Sequence, residues 1–281
     1  MRNKSTKATL LRLLENARYE VLPTASAEEA LLEHVPRERT VTITASPHKG
    51  LEATLGLAER LAGHGYPVVP HVAARMVSGR SELAEIAERL TGKGITRVFV
   101  PGGDSDPVGD YPDSISLLHD LADLGRPFEQ VGVTGYPESH PTISDDLTVQ
   151  AMWDKRRFMT HIVSNLTFDP KAVRAWVARL RARGITTPLL LGLPGPVDRA
   201  KLLAMATKIG VGNSTRFLVK HKGAMARLAA PGGFTGQRFL EQCAPAFTEP
   251  SSLVEGLHVF TFNQISATEA WRTEQLERLR R

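Results

Sequence analysis

The stretch TVTITASPHKGLEATLGLAERLAGHGYPVVPHVAA, Thr40–Ala74, changes its hydrophobic period twice. Its first part, TVTITAS, is rich in β-branched residues and has the length of a strand. GLEATLGLAERLAGHG then repeats leucine at three- and four-residue spacing and ends on Gly65, a residue suited to a left-handed helix cap. PVVPHVAA returns to the strand pattern. A strand, a helix and a second strand in this order form a parallel pair, because the helix carries the chain back to the end at which the first strand began.

Working outward, the same alternation runs along the chain. YEVLP (19–23) precedes the helical pattern AEEALLEHV. PVVPHVAA (67–74) precedes SELAEIAERLTGKG, for which Ser81 is the expected N-cap. ITRVFVPGG (95–103), EQVGVTGYP (129–137) and THIVSNL (160–166) are each followed by a helical period, as are TPLLLGLP (187–194), which leads into VDRAKLLAMATKIG, and LHVFTFNQ (257–264), which leads into TEAWRTEQLERLR. About eight strand-then-helix units result, with an extra helical insertion at 214–255 before the last strand. Eight successive parallel strands favour a closed (β/α)₈ barrel, the TIM barrel, filling residues 1–281 as a single domain. An open doubly wound sheet is the runner-up, but no G-x-G-x-x-G follows an early strand, and GVGN at Gly210–Asn213 is only a fragment of that pattern.

Composition restricts the function. The chain has 281 residues, 42% of them hydrophobic, enough for one large α/β core. Its single cysteine, Cys243, excludes an internal disulfide framework and a multi-cysteine metal site, and is expected to be buried packing. The charged N-terminal stretch suggests neither a signal peptide nor a membrane span, so a cytoplasmic protein is expected. The net charge of +5 is scattered, with few aromatic residues interleaved, so nucleic acid is not an expected partner. Oligomeric state is left open.

In a barrel the active site lies at the C-terminal ends of the strands, and several polar residues converge on that rim. Glu20 interrupts the first strand, His71 lies in the third, Asp104 follows the fourth, Tyr136, Glu138 and His140 follow the fifth, Asn165 ends the sixth, and Asn263 and Gln264 end the eighth. Each has a bland alternative: a rim ion pair, a bonded core histidine, or a helix cap. Burial raises a carboxyl pKa, so a buried Glu20 suits a general acid. Asp104 on its glycine turn suits an ionised group that stabilises a developing cation. No metal ligand set is assigned.

VGVTGYPESHP (131–141) resembles the Y-P-E-x-H-P turn of methylenetetrahydrofolate reductases, in which Pro137 and Pro141 stiffen the turn. YEVLPT, VPHVAA, VPGGDSDP, IVSNLTFD and GLHVFTFN resemble, in order, the family's E-x-x-P-P, P-H-x-x, R-G-D-x-P, I-T-Q-x-x-F-D and G-V-H-x-F-x-x-N segments. The resemblance implies a (β/α)₈ barrel that reduces methylenetetrahydrofolate, with Glu20 as general acid and Asp104 at the pterin. It implies folate contact at Asn165, with Asn263 beside it at the rim, and flavin contact at His71, Tyr136, His140 and Lys155. Gly102 replaces the family's phosphate-binding arginine, the A-G-A turn is missing from DKRRFMTHIVSN, and Ala267 lies near the missing folate-side arginine. The expected donor is therefore NADH or NADPH acting directly on a tetrahydrofolate substrate. FAD-dependent reduction, another tetrahydropterin reductase and a non-catalytic folate-binding barrel are the alternatives.

Overall fold

The computed structural model describes residues 4–140, 143–197 and 235–281. Eight parallel strands run in the order β3-β2-β1-β8-β7-β6-β5-β4. They are β1 Arg18–Val21, β2 Val41–Ile43, β3 Val68–Pro70, β4 Arg97–Phe99, β5 Gln130–Gly135, β6 His161–Ser164, β7 Leu189–Pro194 and β8 Val254–Phe260. A parallel bridge between His71 and Phe99 joins the two ends of that order, so the sheet closes into the (β/α)₈ barrel. Above the bridge the seam continues through Ala74 N–H to the Pro101 carbonyl and Arg75 N–H to the Gly102 carbonyl, each at 3.0 Å.

The helices are α1 Lys4–Glu15, α2 Ala25–His34, α3 Gly50–Gly63, α4 Arg80–Gly92, α5 Ser114–Asp123, α6 Asp145–Lys155, α7 Pro170–Ala182, α8 Gly236–Cys243 and α9 Ile265–Arg280. Amphipathic faces dock them on the sheet: α3, for example, buries Leu51, Leu55, Leu57, Ala58 and Leu61. Most of the core lies between sheet and helices. A smaller cluster of Val69, Phe99, Val163 and Leu190 fills the barrel itself. Gly132 makes room there, since a Cβ on it would fall 2.6 Å from His161 Nε2 and 2.9 Å from Phe99 Cδ2.

Several local readings are corrected. Ser81 is inside α4: the helix starts at Arg80 with Gly79 as cap, and the Glu82 carboxylate accepts from the Ser78 N–H and hydroxyl at 2.6 Å, which anchors the first turn without Ser81. The eighth strand begins three residues before the expected Leu257. α1 precedes the first strand and buries Thr9, Leu10, Leu13 and Leu14, a helix outside the strand-then-helix count. Gly65 does adopt a left-handed conformation, φ +85°. Of the insertion, α8 and the 3₁₀ turns Ala244–Phe247 and Pro250–Ser252 are seen. Residues 214–234, the helix expected from VDRAKLLAMATKIG, Gly210–Asn213 and Pro141 lie outside the described residues, except that Val197 at the start of that stretch is described.

Candidate active site

Side chains alternate along a strand, and residues in register on parallel neighbours share a face. Glu20 is paired with Thr42 on one side and Phe260 on the other, and His258 stands two residues before Phe260. This places one acid and one imidazole side by side inside the barrel: His258 Nε2 is 2.8 Å from Glu20 Oε2. His71, just past β3, brings its Nε2 to 3.7 Å from the same oxygen, too far for a hydrogen bond. The Glu20 side chain is 15% exposed, His71 9% and His258 2%. Aromatic rings hold both imidazoles, His71 against Phe99 at 4.6 Å and His258 against Phe260 at 4.8 Å between centroids.

The electrostatics shift Glu20 in the direction opposite to that expected from burial alone. Burial pushes its carboxyl up, but the hydrogen bond with His258 and the favourable electrostatics of the two imidazoles outweigh burial and hold it below the ordinary carboxylate value. Glu20 is therefore an ionised carboxylate at neutral pH with an imidazole partner. Burial also pushes His71 down to about 4, with Glu20 opposing and His258 reinforcing the shift, so His71 is neutral. Among the described residues, His71 Nε2, His258 Nδ1 and the Thr42 hydroxyl are buried and without a hydrogen-bond partner. Such atoms are few in a folded protein, and their concentration around one carboxylate marks a place that a ligand's polar groups can complete.

The other rim residues form separate groups. Tyr136 packs its ring edge-on to His140 at 4.7 Å. Burial, with the charge of Asp104, pushes the Tyr136 phenol up to about 12, while a hydrogen bond with Thr134 pulls the other way. Asp104 itself is exposed, and His140 Nδ1 accepts from the Ile143 N–H at 3.1 Å. Asn165 is exposed, and its side-chain oxygen accepts from the Leu166 N–H at 2.8 Å. Asn263 is a brace: its oxygen accepts from Leu22 N–H at 2.8 Å and its amide donates to the Thr24 hydroxyl at 3.1 Å. Lys155 lies at the end of α6, where burial lowers its pKa and Asp113 and Asp154 oppose the shift. Among the described residues no cluster of three or more His, Cys, Asp or Glu is arranged to hold a metal ion. His258 is the residue that sequence reasoning gave no role; its signal was the one that picked out Glu20, a polar residue within an apolar strand.

No family model matches the chain. Among solved structures it is similar to an oxaloacetate acetylhydrolase in complex with the inhibitor 3,3-difluorooxalacetate, at 15% identity over 86% of this chain and 94% of that one, TM-score 0.48. It is also similar to a protein described as a "putative lyase/mutase" from Burkholderia cenocepacia J2315, at 12% identity over 98% of this chain and 86% of that one, TM-score 0.50. At these identities the second likeness supports the fold. The methylenetetrahydrofolate reductase resemblance, and with it folate reduction, the tetrahydrofolate substrate, NADH or NADPH as donor, and FAD, is overturned: no model of that family matches, and the second similar barrel is described as a lyase/mutase. The motif residues explain how the resemblance arose, since several are scaffolding. Glu138 of the Y-P-E-x-H-P turn accepts from the Phe168 and Asp169 N–H groups, Asp169 of the F-D element caps α7, and Asn263 ties the eighth unit to the first. Among the described residues no helix is long and apolar enough to cross a membrane.

Proposed function

We propose that this chain is a (β/α)₈-barrel enzyme of the lyase class, working by proton transfer at the Glu20–His258 pair on a small substrate that carries a carbonyl group. The observation that carries the reading is the ionised, shielded Glu20 carboxylate among the unpartnered atoms of His71, His258 and Thr42. A carboxylate base removes a proton from carbon next to a carbonyl, and the electron pair moves onto the carbonyl oxygen as an enolate. Collapse of the enolate expels a substituent from the neighbouring carbon, and the proton held by Glu20 returns to that leaving group. The Thr42 hydroxyl and a neutral His71 supply polar groups for the substrate oxygens. Tyr136, His140 and Asp104 form the rim to which the rest of the substrate is assigned. The lyase/mutase description of the similar barrel agrees with this class.

The test is a panel of small 2-oxo and hydroxy acids incubated with the protein in deuterium oxide and followed by proton NMR. Deuterium enters at the carbon beside the carbonyl for at least one of them, and Glu20→Gln slows the exchange by about 10²–10⁴-fold, the usual contribution of a positioned general base. Exchange that Glu20→Gln leaves unchanged, or no exchange across the panel, would sink the reading.

A further inference from the structure

At the opposite end of the barrel the first residues of four strands face inward. Arg18 shares a face with Glu20, Arg97 with Phe99, Gln130 with Gly132, and His161 with Val163, and each of these partners lies in the barrel interior. Arg18 Nη1 is 3.2 Å from His161 Nε2, and Arg18 Nη2 donates to Gln130 Oε1 at 3.5 Å. Arg97 makes no hydrogen bond or ion pair among the described residues, which leaves its five donors uncommitted. Burial first, and then the charge of Arg97, push Arg18 down to about 10, with Glu255 opposing. Burial and the same two arginines are among the causes that push His161 down to about 3. The nearby carboxylates do not neutralise this floor: Glu255 is exposed on β8, and Glu129 is exposed and accepts from the Thr96 hydroxyl.

We propose that this floor is a binding site for a small oxyanion, held by Arg97 and Arg18 between β1, β4, β5 and β6. Two guanidinium groups at the mouth of a low-dielectric barrel, with no carboxylate bonded to either, suit a phosphate or carboxylate group, because the planar fork of arginine pairs with two oxygens at once. Arg18 and Arg97 are both partly exposed, so the end opposite the candidate active site admits a ligand from solvent. Arg18 is also the register partner of His258, which places the bound charge one strand pair from the histidine that holds Glu20.

The test measures thermal midpoints and titration calorimetry of the full chain with sodium phosphate, sodium acetate or sodium chloride at matched ionic strength. At ten times its dissociation constant, phosphate or acetate raises the midpoint by about 3 °C beyond chloride. Arg97→Gln abolishes that excess, and Arg97→Lys, which keeps the charge without the fork, retains a weaker one. The phosphate and acetate arms distinguish a phosphate-selective site from one that takes any oxyanion, either of which fits the proposal. The absence of any excess over chloride, or an excess of full size in Arg97→Gln, overturns it.

Discussion

Cys243 is fully buried beside α7, and burial pushes its thiol up to about 12. A neutral, shielded thiol is a poor nucleophile, so alkylation by iodoacetamide is expected only after unfolding, and rapid modification of the native protein would contradict its burial. Glu20 shows how far a single residue could be read in sequence. A carboxylate and a histidine inside apolar strands, Glu20 and His71, were legible as unusual positions, and the structure brings them within 3.7 Å of each other. The charge state was not legible. Burial raises a carboxyl pKa in isolation, but His258, 238 positions away in the chain, supplies a bond that reverses the result. Only the pairing of β8 with β1 brings the two residues together and so decides which of the two effects prevails.

At the scale of elements, Glu138 connects the turn after β5 to the start of α7. Its carboxylate accepts from Phe168 N–H at 2.5 Å and Asp169 N–H at 2.7 Å. Glu138→Ala leaves both donors without that partner and is expected to cost about 2–3 kcal/mol, measured as a shift in urea midpoint. A loss below about 0.5 kcal/mol would show that water replaces the carboxylate. Strand and helix order was legible because hydrophobic period survives in each segment separately. Caps and rim contacts were not, because Glu138, Asn263 and Glu82 act on backbone groups of other turns. A short motif recording such a brace looks the same whether its residues bind a cofactor or a neighbouring loop. α1 was missed for a related reason: its apolar face acquires meaning only once β8 and α9 are beside it.

For the whole molecule, the buried imidazoles set the response to acid. His71 is held at about 4 and His161 at about 3, both below the ordinary value of 6.5. The unfolded chain therefore takes up these protons first as pH falls. Their stabilisation is complete above pH 6.5, declines below it, and is exhausted only near the depressed values. Each contributes roughly 3–5 kcal/mol across that window. Glu20, also depressed, adds to the loss in the same direction at lower pH. Urea midpoints measured from pH 8 to pH 4 should fall steeply below 6.5, and His161→Gln should flatten the decline; a profile unchanged in that variant would remove His161 from the account.

Pro70, in β3, has no N–H to give to β4, and below the His71–Phe99 bridge no ladder joins those two strands among the described residues. Side-chain packing of Val69 against Phe99 spans the gap. An uninterrupted ring of strands has no point at which peeling can begin, whereas this ring has a loose selvage, whose free backbone groups are those of Val68 and Arg97. Heat or force would open the wall there first and from the floor upward, leaving the stitched rim around the Glu20 site among the last parts to part.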